Sequence, residues 1–151
     1  MKQIEIKAAI ENLIDTFLYA GKVSIELRKK GLIKEIKEDN TPVSNGDLEV
    51  NRILTEKINN LTPQIPIVSE ETSHNKSKKD LKNFWLIDPI DGTYDYINDL
   101  DEFTLNAGLI INNRAVAGII YAPAKNRLFY SYEKGYSCLL YTSPSPRDNL
   151  P

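Results

Sequence analysis

Asp88 and Asp91 flank a proline and run straight into Gly92-Thr93, in the string WLIDPIDGTY that spans residues 85–94. Two carboxylates held this close repel each other unless a cation joins them. Pro89 fixes its φ at roughly −65° and removes a backbone donor, so the turn is stiff and both acids can converge on one point. Hard oxygen donors of this kind suit Mg²⁺, which takes one or two carboxylates and leaves its other positions to water and phosphate oxygens. Gly92 lets the backbone approach a ligand closely. Thr93 brings a hydroxyl to the place where a helical turn over Tyr94–Ile97 could begin, and free amides at a helix start attract anions. Metal-binding carboxylates followed directly by an anion cradle describe a phosphate-ester site. The same residues also read as a tight turn whose aspartates cap backbone amides, the usual role of Asp beside Gly and Pro.

A second acidic strand end lies upstream, in Ile67-Val68-Ser69-Glu70-Glu71. If this strand neighbours Phe84-Trp85-Leu86-Ile87 in a sheet, Glu70 comes beside Asp88 and Asp91, and three unpaired anions need a metal. Read by itself, Glu70-Glu71 is a solvated strand exit. Asp47 stands three residues after Ser44, a capping-box spacing that explains it completely, so no chemical role follows from its position. Lys37 belongs to the charged run KEIKED, and His74, the only histidine, sits in the polar stretch Thr72 to Asn83; both read as solvated surface. A single cysteine, Cys138, excludes an internal disulfide and any cysteine-based metal cluster.

Other elements must carry these residues. From Ile6, apolar side chains recur through Ile10, Leu13, Ile14, Phe17, Ala20 and Leu27, which predicts one long helix ending near Gly31. A second helix follows Thr41-Pro42-Val43, with Leu48, Ile53, Leu54 and Ile58 as its apolar face, closed by Pro63 and Pro66. Strands are predicted over 66–69, 84–87, 103–111, 115–121 and 127–132, with Asn112-Asn113-Arg114 as a hairpin turn. Two helices and then a run of strands predict an α+β arrangement, the helices packed on one face of a largely antiparallel sheet. At 151 residues, 41% hydrophobic and 26% charged with net charge −2, the chain is about one domain long. No basic face points to a nucleic-acid polymer, and no apolar run approaches the roughly eighteen residues that span a bilayer. The charged N-terminus does not read as a secretory signal, which leaves a cytoplasmic protein as the default.

The segments TPVSNGDLEVNRIL (41–54), IPIVSEE (65–71), WLIDPIDGT (85–93), EFTLNAGLI (102–110) and VAGIIYAPAKNRLFY (116–130) resemble the inositol monophosphatase-like phosphatases, most of all the bacterial CysQ-type 3′(2′),5′-bisphosphate nucleotidases. The resemblance runs from about Lys2 to Tyr136 in one order. It implies the first half of a layered α/β sugar-phosphatase fold. It also implies a Mg²⁺-dependent enzyme that removes the 3′-phosphate of adenosine 3′,5′-bisphosphate, a small nucleotide from sulfate assimilation. By the same resemblance Glu70, Asp88 and the carbonyl of Ile90 hold one metal, and Asp88 and Asp91 share in a second, for two or three ions in all. Asp47, Glu70 and Thr93 form the catalytic group, in which Thr93 and Asp47 orient the attacking water. Gly92, Thr93 and Lys37 face the substrate phosphate. The family reading leaves the protein cytoplasmic or held peripherally at the inner face of the membrane, with its oligomeric state open. Tyr94 stands where CysQ-type sequences commonly have Lys.

The resemblance further implies a second domain that supplies another metal-binding Asp from a W-D-x-A motif, and this sequence contains no such motif. From Cys138 the chain reads Leu-Leu-Tyr-Thr-Ser-Pro-Ser-Pro-Arg-Asp148, which resembles translated adapter sequence rather than a phosphatase. The expected division is therefore an N-terminal α+β metal-binding phosphatase domain over 1–137 and a foreign, disordered tail over 138–151. A phosphatase half of this kind is expected to turn over weakly by itself. The alternatives are an inositol monophosphatase, which shares every ligand named, and a metal- or phosphate-binding module without turnover.

Overall fold

In the computed structural model the described residues are 1–71 and 81–141. Residues 72–80, with His74 and most of the lysine-rich stretch, and residues 142–151 lie outside them. Helix α1 (Gln3–Lys30) ends at Gly31, whose φ of 96° lies in the left-handed region. Its buried stripe is Ile6, Ile10, Leu13, Phe17, Ala20 and Ser24, spaced at three or four residues as a helical face requires. Strands β1 (Lys34–Ile36) and β2 (Pro42–Ser44) form a small antiparallel hairpin. Helix α2 (Asn45–Leu61) follows, with Ser44 at its N-cap and the Ser44–Asp47 capping box closed in both directions. Val50, Ile53, Leu54 and Ile58 make its buried face. Leu48, expected on that face, is instead exposed, because it lies a quarter-turn away from the Leu54–Ile58 line.

Six further strands form one sheet in sequence order: β3 (Ile67–Ser69), β4 (Phe84–Asp91), β5 (Thr104–Ile111), β6 (Arg114–Ala122), β7 (Arg127–Glu133) and β8 (Tyr136–Tyr141). Every pair is antiparallel except β3 and β4, which run parallel. The short helix α3 (Thr93–Ile97) lies between β4 and β5. Asn112 and Asn113 both take positive φ in the β5–β6 turn, the conformation a two-residue hairpin demands.

Strand β4 does not stop before Asp88, as its apolar run predicts, but continues to Asp91. Its pairing with β5 shifts between Asp88 and Asp91, where Pro89 has no N–H to offer the ladder. Strand β8 was not foreseen either. It runs past Ser137 and pairs Cys138 with Tyr130 and Tyr141 with Arg127. The free edge of β7 supplies the backbone partners that make this possible.

Helices α1 and α2 cover one face of the sheet. Trp85, Ile87, Leu105, Leu109, Ile119 and Leu128 point into that layer and join Phe17, Leu13 and Ile58 in a single core. The indole of Trp85 is fully buried, and its Nε1 donates to Thr62 Oγ1 at 2.9 Å. The other face carries Leu86, Ile120 and Phe129, all exposed. No helix among the described residues is long and apolar enough to cross a membrane.

Candidate active site

The parallel pairing of β3 with β4 brings both strand ends to the same edge of the sheet, since Ser69 stands opposite Ile87 and Glu70 N donates to Ile87 O at 3.2 Å. Glu70 and Glu71 leave β3 there, beside Asp88 and Asp91 on β4. Asp88 is half-buried, and its carboxyl is pushed up to about 6, first by burial and then by the charges of Asp91, Glu70, Glu71 and Asp47. Glu71 is also raised by burial, against the lowering pull of Lys37. The structure therefore gathers five acidic side chains into one field of like charge.

Among the described residues no three His, Cys, Asp or Glu side chains come close enough together to hold a metal ion by themselves. The backbone carbonyl of Ile90 is the further oxygen that the expected set includes, and it lies 3.2 Å from Thr93 Oγ1. As a donor set the group fits a hard divalent cation. It offers only carboxylate and carbonyl oxygens, the donors such a cation takes.

Beside the acids lies the Gly92-Thr93 turn. Gly92 has φ 88°, and a Cβ there would sit 2.8 Å from the carbonyl oxygen of Glu102, so both its backbone and its surroundings require glycine. Thr93 Oγ1 donates to Asp47 Oδ1 at 2.8 Å across 46 residues of sequence. The other oxygen of Asp47 accepts from Ser44 N at 2.8 Å and from Ser44 Oγ. Asp47 is fully buried, so helix capping and the link to Thr93 use the two oxygens of one carboxylate. Capping accounts for only half of that carboxylate.

A knot behind the turn holds α3 in place. Tyr96 is buried, donates its hydroxyl to Ser24 O at 2.7 Å, and lies against Gly46, where any Cβ would run into its ring. Arg28 stacks over Tyr96 and Phe103, donates to Leu100 O at 2.6 Å and pairs with Asp99 and Asp101, each at 3.2 Å. In this way α1 and α2 together fix the first turn of α3, and with it Thr93.

Lys37, at the end of the β1–β2 hairpin, reaches Glu71 with its Nζ 3.7 Å from Oε2. Glu71 is nearly buried while Lys37 is only partly so. The charged run KEIKED thus places one of its lysines against the acidic field rather than in open solvent. Tyr94 is exposed next to Thr93. Sequence reasoning missed Asn106, which stands opposite Asp88 on β5 and donates its Nδ2 to Asp91 Oδ2 at 3.5 Å. The only signal for it was a polar residue inside the apolar strand TLNAGLII.

A sheet backed by two helices, with carboxylates at two parallel strand ends and a Gly-Thr turn beside them, defines an α+β protein with an acidic strand-end site. The chain belongs to the inositol monophosphatase family, whose model matches residues 6–145. It is similar to the 3′(2′),5′-bisphosphate nucleotidase CysQ of Haemophilus influenzae, 40% identical over 114 residues that make up 74% of this chain and 42% of that protein. The CysQ protein of Aggregatibacter actinomycetemcomitans is 36% identical over 126 residues, 82% of this chain and 47% of that one. Among solved structures, CysQ from Bacteroides thetaiotaomicron matches with a TM-score of 0.63 and 28% identity over 93% of this chain and 50% of its own. The Thermotoga maritima IMPase shares the fold, with a TM-score of 0.75 over 86% of this chain and 50% of its own. The chain spans less than half the length of these two curated relatives.

Proposed function

We propose that this chain is the metal-binding half of a Mg²⁺-dependent phosphatase that acts on a small phosphorylated nucleotide, with the 3′-phosphate of adenosine 3′,5′-bisphosphate as the group removed. The observation that carries the reading is the assembly of Glu70, Glu71, Asp88 and Asp91 at one sheet edge next to a Thr93 hydroxyl already held by Asp47. The CysQ name of the 36–40% identical relatives supports the substrate.

In this reading Glu70, Asp88 and the carbonyl of Ile90 would hold one Mg²⁺, and Asp88 and Asp91 would share in a second. A cation there lowers the pKa of bound water and offsets charge on the phosphoryl oxygens. The protein's own residues supply position. Asp47, anchored by Ser44, accepts the Thr93 proton at 2.8 Å, which leaves the Thr93 oxygen free to accept from a water that approaches phosphorus. The amides of Gly92 and Thr93 open the short α3 and face the phosphate, with Lys37 as a cation at the margin. Because the matched stretch covers only 42–47% of these relatives, turnover by these 151 residues alone is expected to be weak.

The test is calorimetric titration of the chain with Mg²⁺, paired with an assay of phosphate release from adenosine 3′,5′-bisphosphate and from inositol 1-phosphate. Mg²⁺ binding that Asp88→Asn abolishes, with any release dependent on Mg²⁺ and greater for the nucleotide, is the expected result. Phosphate release that persists without divalent cations overturns the mechanism. Preference for the inositol ester overturns the substrate.

A further inference from the structure

Asn106 lies directly across from Asp88 in the β4–β5 register. Cross-strand partners project from the same face, so both side chains stand on the side of the sheet away from the helices. They line a cavity of about 490 Å³ whose walls are largely apolar, among them Leu86, Gly108, Ile120 and Phe129. The Asn106 Nδ2 spends itself on Asp91 Oδ2 at 3.5 Å. Its Oδ1 is buried and has no hydrogen-bond partner among the described residues.

A buried acceptor without a donor is costly, and native proteins leave few of them. Turning the amide over makes matters worse. The oxygen would then face the Asp91 carboxylate as a second acceptor, and the NH₂ group would be the orphan instead. The ionisable neighbours are carboxylates, which when charged have no proton to give. Asn106 Oδ1 is therefore an acceptor placed next to two acids, waiting for a donor that the acids themselves attract.

We propose that Asn106 is a positioning residue of the acidic site: its Oδ1 accepts a hydrogen bond from a water molecule bound to a divalent cation at Asp88 and Asp91, while its Nδ2 orients the Asp91 carboxylate. The proposal rests on the reading of this edge as a cation site. A neutral amide suits the task because it orients both groups without adding to the negative charge already there. An aspartate in its place would add a further like charge, and a leucine would present nothing to the water.

The test uses the full chain and two metal readouts. In ¹⁵N-labelled protein, Mg²⁺ is expected to shift the side-chain amide pair of Asn106. Mn²⁺ affinity, followed by electron paramagnetic resonance, is expected to fall about tenfold in Asn106→Leu, the scale on which residues behind metal ligands act. Asn106→Ser keeps a small acceptor and should restore most of the affinity, while the metal-free thermal midpoint of Asn106→Leu should not fall. If the Asn106 amide stays unmoved while Mg²⁺ binds, or Asn106→Leu holds Mn²⁺ as tightly as the unchanged chain, the inference is wrong and the cation site stands. If the unchanged chain binds neither ion, the cation reading and this inference fall together. Should Asn106→Leu not fold, the amide shift decides the matter.

Discussion

Replacing Asp88 by asparagine should stabilise the metal-free protein at neutral pH while removing its response to Mg²⁺, two effects of opposite sign from one atom. Burial and four neighbouring acids push the Asp88 carboxyl from 3.8 in an unstructured chain to about 6 in the fold. A carboxyl raised in this way favours the folded state fully below about pH 4, and that contribution is lost as the pH rises through about 6. The ceiling on the loss is about 3 kcal/mol. Asp88 is only half-buried, and solvent screening reduces the figure to about 1–2 kcal/mol. In a chain of 151 residues this corresponds to a shift in thermal midpoint of about 3–6 °C. Thermal unfolding from pH 4 to 8, with and without Mg²⁺, measures it. The unchanged protein should lose stability between pH 4 and 6.5 and regain it on addition of Mg²⁺ at pH 7. Asp88→Asn should be flatter over that range, higher at pH 7 without metal, and indifferent to Mg²⁺. An Asp88→Asn protein that melts lower than the unchanged chain in metal-free buffer at pH 7 would refute the account of repelling charges.

Two further predictions concern the frame around the site. Gly92→Ala places a Cβ against the Glu102 carbonyl at a φ of 88° and should cost about 1–3 kcal/mol in urea unfolding; a change inside about 0.5 kcal/mol would mean that the turn relaxes freely. Thr62→Val removes the acceptor of the buried Trp85 Nε1 proton and should cost about 1–3 kcal/mol at nearly constant volume. A neutral outcome there would show that the indole finds another partner.

Much of the frame was legible because it rests on short-range rules. The spacing of Ile6, Ile10, Leu13 and Phe17 predicts α1, the Ser44–Asp47 pair marks the start of α2, and Asn112-Asn113 marks a hairpin. What escaped is decided by distant partners. The β1–β2 hairpin has a fully exposed first strand, so Lys34–Ile36 carries no burial pattern to read. Strand β8 depends on pairing with the edge of β7, and the extension of β4 to Asp91 on pairing with Thr104. The site divides in the same way. The acids are visible as strand ends, but the use of both oxygens of Asp47, the contact of Lys37 with Glu71 and the place of Asn106 opposite Asp88 all join residues far apart in sequence. Tyr96 is read as one residue of a helical turn, yet it ties Ser24, Gly46 and α3 together.

The single tryptophan of the chain is Trp85, three residues before Asp88 on the same strand but pointing to the opposite side of the sheet. Its position makes the protein its own optical gauge. With the indole shut away from solvent, its emission should sit at short wavelength and move to the red only when the helix layer separates from the sheet. Ions arriving at Asp88 work on the far face, so they should leave that colour unchanged while altering the temperature at which it shifts. Folding can then be followed by light in the presence of any cation, without the cation itself colouring the signal.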